Sequence, residues 1–239
     1  VRILGIIPAR GGSKGVPGKN IKPLNGKPLL QYTASAALAA NGLTQVVLSS
    51  EDNDIIAAGI AMGLSVPFVR PAHLAQDGTP TLPVVEHVLD FIAEQGLQFD
   101  AVCLLQTTSP LRPAGFVDAA ITKFTDGGAD SLISVTQVPH EYNPHWVFEP
   151  SDSGFLRLST GEREIIPRRQ LLPPAYIRDG SIYLVKTSVI RSKQSFYGDS
   201  IDWIESNPAY YVNIDTAKDW ALAEEKIKQL RSHALIGTD

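Results

Sequence analysis

Three cations, Arg10, Lys14 and Lys19, share the stretch Pro8–Asn20 with four glycines, Gly11, Gly12, Gly15 and Gly18, directly after the apolar run Ile3–Ile7. Glycines let a backbone turn its N–H groups inward and approach an anion closely, while the cations supply charge where phosphate oxygens would lie. The chemistry this implies is the gripping of a triphosphate. Two commoner phosphate loops fail on spacing. The Walker pattern requires Ser or Thr after Gly-Lys, but Gly18-Lys19 is followed by Asn20, and Ser13 stands where a further glycine is needed. The dinucleotide fingerprint Gly-x-Gly-x-x-Gly does not fit the offsets of the four glycines. A solvated, glycine-rich turn is the plainer alternative.

Two further polar clusters follow apolar runs: Ser49-Ser50-Glu51-Asp52 after Gln45–Ser49, and Gln106–Arg112 after Ala101–Leu105. In an open parallel sheet the ligand crevice lies beyond the carboxyl ends of the strands, so three such clusters mark one crevice. Turn chemistry alone would also account for Thr107–Pro110 as a helix entry.

The elements that must position these residues are legible in outline. Apolar runs alternate with helical periods, the pattern of βαβ units in a mostly parallel sheet. Helices are expected over Pro28–Ala40, after Asp52 carrying Ile55, Ile56 and Ile60 and stopped by Gly63, from about Pro83 with Val84, Val88 and Ile92 on one face, and over Phe116–Phe124. Strands are expected at Gln45–Ser49, Ala101–Gln106, Leu132–Val135, Ser181–Val185 and Tyr210–Val212, with a marginal one at Val66–Val69. Thr216 and Asp219 form a capping box for a last helix through Ala223, Ile227 and Leu230. Between Pro139 and Tyr176 the period is lost among prolines and aromatics. This segment reads as an arm inserted into a single domain over residues 1–239, bounded at 139–178 and covered by a second subunit in a homodimer, since Trp146, Phe148, Phe155 and Leu171-Leu172 would be costly to expose.

A formal net charge of −4 and the lack of a long Lys/Arg run argue against nucleic acid or an anionic membrane as partner. No apolar stretch approaches the length of a membrane span, and no signal-like segment precedes the first apolar run. The single cysteine, Cys103, lies in an apolar run and reads as a small buried side chain. A reducing cytoplasm is the expected compartment. His73, His87, His140, His145 and His233 show neither motif placement nor metal spacing, so no general base is evident.

The opening loop resembles that of the acylneuraminate cytidylyltransferases, the CMP-sialic acid synthetases, when taken with Arg70-Pro71-Ala72-x-Leu74-Ala75-x-Asp77, Leu105-Gln106-x-Thr108-Ser109-Pro110-Leu111-Arg112 and Asn213-Ile214-Asp215-Thr216. The likeness covers nearly the whole chain, and four ordered motifs are more specific than any one of them. It implies a three-layer, Rossmann-like α/β fold of glycosyltransferase-A type. It also implies Mg²⁺-dependent transfer of CMP from CTP to the anomeric hydroxyl of an acidic nine-carbon 2-keto sugar, with release of pyrophosphate. By the same resemblance Arg10, Gly11, Ser13, Lys14, Lys19 and Asn20 meet the nucleotide, and Lys14, Arg10 and Asp215 carry catalysis, Lys14 foremost. Arg70 and Thr81 lie near the cytidine, although for Arg70 a structural pair with a carboxylate is an equal reading. Gln106, Thr108, Ser109, Arg169, Asp179 and Tyr183 face the sugar, with Arg169 reaching in from the other subunit. Asp215 with Asn213 holds the metal. The sialic acid branch shows Asp-x-Asp where this chain has Asn213, which leaves one metal or two open, and several relatives carry Asn where this chain has Asp179, which leaves the acceptor open. A sugar 1-phosphate pyrophosphorylase of the same fold and a non-catalytic nucleotide-binding module are the rival readings.

Overall fold

The protein is described here by a computed structural model over residues 1–232, so His233 lies outside the described residues. Strand β1 (Ile3–Pro8) leads through the basic loop into a two-residue ladder of β2 (Pro23–Leu24) with β3 (Lys27–Pro28), then helix α1 (Leu29–Leu38). Next come β4 (Gln45–Ser49), α2 (Asn53–Ala61), α3 (Thr81–Glu94), β5 (Ala101–Leu104), α4 (Phe116–Gly127) and β6 (Ser131–Gln137). A hairpin of β7 (Phe148–Pro150) and β8 (Leu156–Leu158) precedes β9 (Tyr176–Lys186), α5 (Thr187–Lys193), β10 (Ile201–Glu205) and α6 (Ala217–Ser232).

Six strands form one sheet in the order β10-β6-β9-β5-β1-β4. β1 runs parallel to β4 and β5, and β10 parallel to β6, while β9 is antiparallel to both of its neighbours. The expected mostly parallel α/β sheet is thus observed, with one reversed strand inserted in mid-sheet. Both faces are covered. Ile3, Ile7, Leu30, Ala34, Ala120 and Phe124 form the core under α1 and α4, and Leu4, Ile6, Val85, Val88, Ile92 and Ile190 that under α3 and α5. Burial on two faces is why the β1 sequence reads as continuous apolar residues rather than alternating ones. From β1 the chain moves outward to β4 and then returns to β5 on the other side of β1. Loops leaving β1 and β5 therefore diverge at the switch point, where a doubly wound sheet opens its crevice.

Local signals act as the sequence suggests. The Asp52 carboxylate accepts from the N–H groups of Asp54 and Ile55, capping α2, and Gly63 ends the following turn at φ +87°. Asp219 accepts from the N–H and hydroxyl of Thr216 at the start of α6, and its own N–H donates back to Thr216 Oγ1. Two expected strands need correction. Val66–Val69 forms no strand: pairing stops at an isolated bridge between Ser65 and Val47, because Pro67 has no N–H to extend it. Tyr210–Val212 is a turn, whose Tyr210 and Val212 are buried against Trp220 and Ile227 of α6 without any ladder. Ile60 is 59% exposed, on the solvent side of α2.

Residues 138–175 lie outside the main sheet as short 3-10 turns and the β7–β8 hairpin. Phe148, Phe155, Leu156 and Leu171 are exposed there, whereas the Trp146 indole is half-buried and donates to Ile166 O at 2.8 Å. Tyr176–Arg178 already belong to β9 and pair with Val135–Gln137 of β6. No helix among the described residues is long and apolar enough to cross a membrane.

Candidate active site

The loop leaving β1 and the loop leaving β5 are stitched together by one buried amide. Asn20, 3% exposed, donates from Nδ2 to Arg10 O at 2.9 Å and accepts at Oδ1 from the Thr107 hydroxyl at 2.7 Å. Val16 anchors the middle of the basic loop in the third core cluster, beside Leu111, Ile214 and Trp220. Two glycines are required by close approach rather than by backbone twist. A Cβ on Gly11 would meet Asp52 Oδ2 at 2.3 Å, and one on Gly15 would meet Asp215 O at 1.9 Å. Gly18 instead uses a left-handed φ of +62°. Gly11 N–H also donates to Glu51 Oε1 at 2.8 Å, so the cluster after β4 braces the cradle.

Between these loops lies a cleft of about 390 Å³. It is lined by Arg10, Ser13, Lys14, Lys19 and Asn20 from the basic loop and by Arg70, Asp77 and Thr81 from the segment entering α3. Gln106, Thr107 and Thr108 after β5, with Asp215, complete the wall. Ten of the residues singled out from the sequence therefore share one cleft: Arg10, Ser13, Lys14, Lys19 and Asn20 from the loop after β1, Gln106 and Thr108 from the loop after β5, Arg70 and Thr81 from the segment leading into α3, and Asp215 from the turn before α6.

The cations differ in how free they are. Lys14 is 84% exposed and Arg10 about one-third exposed, and both reach Asp77: Lys14 Nζ to Oδ2 at 2.5 Å, Arg10 Nη1 to Oδ1 at 2.7 Å. Donation from Lys14, and then from Arg10, holds the Asp77 carboxyl below its ordinary value. Lys19 is committed elsewhere. Its ammonium donates to Ile214 O at 2.7 Å and stands 3.5 Å from Asp215 Oδ1, and burial lowers its pKa. Arg70 is 4% exposed and turns inward, its Nε on Ser49 Oγ at 2.9 Å, its Nη2 on Ser49 O, and its Nη1 3.9 Å from Glu51 Oε2. Burial lowers its pKa, opposed by Glu51. The structure thus supports the pairing reading of Arg70 while leaving it in the cleft wall.

Asn213 Nδ2 donates to Asp215 Oδ2 at 2.5 Å. The two side chains meet through an irregular turn, not through strand alternation, since residues 211–214 are not a strand. Ser109, Asp179 and Tyr183 lie one strand further along the sheet. Ser109 Oγ donates to Asp179 O at 3.0 Å; Asp179, 3% exposed, accepts from Ser134 Oγ and from Ser181 N–H; Tyr183 OH accepts from Arg178 Nη1 at 3.0 Å. Arg169 is exposed in the turn Arg169–Leu171 and does not line the cleft. None of the described histidines lines it either. Cys103 is fully buried, and burial pushes its thiol up to about 12.

Three residues matter more in the structure than in the sequence reading. Asp77 bridges Arg10 and Lys14; its place in the Arg70–Asp77 segment was the only hint. Thr107 fixes Asn20. Arg112 ties the loop after β5 down, donating to Ser181 O, Gln106 O and Thr33 Oγ1 at 2.9–3.0 Å, with burial pushing its pKa down to about 10.

Comparison with known proteins identifies the family and the fold. A family profile described as Cytidylyltransferase matches residues 4–236. The chain is 33% identical to the CMP-N,N'-diacetyllegionaminic acid synthase of Legionella pneumophila over 99% of this chain and 100% of that protein. It is 31% identical to the pseudaminic acid cytidylyltransferase of Campylobacter jejuni over 84% of this chain and 80% of that one. Among solved structures, the CMP:2-keto-3-deoxy-manno-octonic acid synthetase complexed with CTP is similar with a TM-score of 0.68 at 17% identity, covering 98% of this chain and 100% of that chain, a likeness of fold.

Proposed function

The chain belongs to the cytidylyltransferase family, and from that premise we propose that it transfers CMP from CTP to the anomeric hydroxyl of a nonulosonic acid, a nine-carbon acidic 2-keto sugar, releasing pyrophosphate. The observation that carries the reading is the convergence of Arg10, Lys14, Ser13, Asn20, Thr81, Gln106 and Thr108 on one cleft at the switch point of the sheet. In-line attack on the α-phosphorus moves negative charge onto the equatorial oxygens and the departing pyrophosphate. Arg10 and Lys14 are fixed beforehand where that charge develops, which favours the transition state over bound substrate. The Asp77 carboxylate between them stands where a phosphate would, and the nucleotide takes its place. Arg70 and Thr81 stand on the cytidine side and Gln106 and Thr108 face the sugar, while Ser109, Asp179 and Tyr183, all buried, support the wall from behind.

Mg²⁺ fits the residues present. Among the described residues no group of three His, Cys, Asp or Glu could cage a metal. Asp215 nevertheless presents a 63% exposed carboxylate to the cleft, beside the Asn213 amide. Hard oxygen donors of this kind, completed by phosphates and water, suit Mg²⁺, which would draw charge from the triphosphate. The arm, which ends at residue 175 where β9 begins and leaves Phe155 and Leu171 exposed, covers a second copy in a homodimer that works in the cytoplasm.

The test is pyrophosphate release, coupled to pyrophosphatase, with CTP, Mg²⁺ and a panel of legionaminic, pseudaminic and N-acylneuraminic acids. A legionaminic-type acid is the first acceptor to try, since the 33% identical relative spanning both chains bears that name. No turnover with any acid sugar, or equal turnover with a sugar 1-phosphate, would refute the proposal.

A further inference from the structure

β5 ends at Leu104 opposite Tyr183, so the residues of β9 before Tyr183 run past the end of β5 and along the loop Leu105–Arg112. That overhang is fastened to the loop by Ser109 Oγ on Asp179 O and by Arg112 on Ser181 O. A Cβ on Gly180 would meet Ser109 Oγ at 2.9 Å and Gln106 Oε1 at 3.3 Å, so β9 stands directly behind the Gln106 part of the cleft wall. Tyr183 belongs to the core beneath α3 and α5, the side on which Thr81 and Val84 of α3 also line the cleft.

On this overhang stands an exposed guanidinium. Arg178 donates from Nη1 to Tyr183 OH at 3.0 Å, and the hydroxyl of Tyr197 lies near enough to favour the charged form as well. No carboxylate among the described residues pairs with it. The Tyr183 phenol oxygen holds the guanidinium without neutralising it, leaving further N–H donors for an external anion. Its neighbour Asp179 is turned into the sheet against Ser134 and so does not compete.

We propose that Arg178 binds the carboxylate of the acceptor sugar, in the same subunit as the nucleotide cleft, with Tyr183 orienting it. This rests on the proposed function above, since it requires an acidic acceptor, and it gives to β9 the role that resemblance assigned to Arg169.

The experiment compares an accepted sugar acid with its carboxamide in steady-state pyrophosphate release at saturating CTP, for the wild type, Arg178→Gln, Arg178→Lys, Tyr183→Phe and Arg169→Gln. Arg178→Gln should lower kcat/KM for the acid by about 10- to 100-fold and leave the carboxamide within about threefold, as loss of one charge-assisted fork predicts. Arg178→Lys should fall between, keeping the charge without the fork. Tyr183→Phe should show a smaller loss of the same kind, and the KM for CTP should stay constant throughout. A generally damaged fold would depress acid and amide alike. If Arg178→Gln keeps the full preference for acid over amide, or Arg169→Gln abolishes it instead, the assignment is overturned while the cytidylyltransferase reading stands. A wild type that turns over no sugar acid overturns both.

Discussion

Gly15→Ala tests whether the basic loop is seated against the turn that carries Asp215. The added Cβ would lie 1.9 Å from Asp215 O, where contacts under 3.0 Å do not occur, so loop and turn must separate by about 1 Å. That shift strains the neighbouring Lys19 contact with Ile214 O at 2.7 Å. Forced overlap of this size costs about 1–3 kcal/mol, or roughly 2–10 °C in melting temperature for a chain of this length. A displacement of about 1 Å at the reacting groups costs about 100-fold in rate. Gly12→Ala is the matched control, because a Cβ there meets nothing within 4 Å. Ligand-free thermal melts and steady-state pyrophosphate release should therefore separate the two variants, with Gly12→Ala melting like the wild type. Equal melting temperatures for Gly15→Ala and the wild type, or equal damage from both alanines in the ligand-free melt, would show that the loop does not rest on Asp215 as described.

Lys14→Ala should lower the melting temperature only slightly, the side chain being 84% exposed and its pair with Asp77 screened, but lower kcat by about 100- to 1,000-fold, as loss of one preorganised donor does. Asn20→Ala should destabilise by about 2–4 kcal/mol in urea unfolding, since it strands both the Arg10 carbonyl and the Thr107 hydroxyl. Asp77→Asn should tighten CTP binding by calorimetry, because Arg10 and Lys14 no longer hold a competing carboxylate. The Asp77 carboxyl is held below its ordinary value of 3.8, so its ion pairs contribute stability above that value and lose it as pH falls through the lowered one. The melting temperatures of wild type and Asp77→Asn should accordingly converge at the acid end.

Runs such as Ile3–Ile7 and Ala101–Leu105 announce themselves because strands buried on both faces carry no polar alternation. The caps of α2 and α6 are legible because Asp52, Thr216 and Asp219 make bonds within a few residues of themselves. β10 is missed: its sequence Ile-Asp-Trp-Ile-Glu sits at an edge, half exposed, where burial imposes no strong pattern. Tyr210–Val212 fails in the opposite sense, since burial against α6 selects apolar residues without requiring a ladder. The cleft is legible in part because its basic loop and its Gln106–Thr108 wall directly follow the apolar strands β1 and β5. The direction of an individual side chain is not, as it depends on partners far off in the chain. Arg70 turns to Ser49, Lys19 to Ile214 and Arg10 to Asp77, contacts spanning 21, 195 and 67 residues.

The reversed strand β9 also governs how the molecule is made. It separates β5 from β6 and exchanges its ladder bonds with both. A nascent chain that has emerged only through β6 therefore holds the three-stranded sheet β5-β1-β4 and a solitary β6 with nothing to join them, both presenting open rows of amides. Such edges invite mispairing with other chains. Closure waits for Tyr176–Lys186, so assembly of the centre is a late, long-range event that slows folding and gives chaperones a window in which to act.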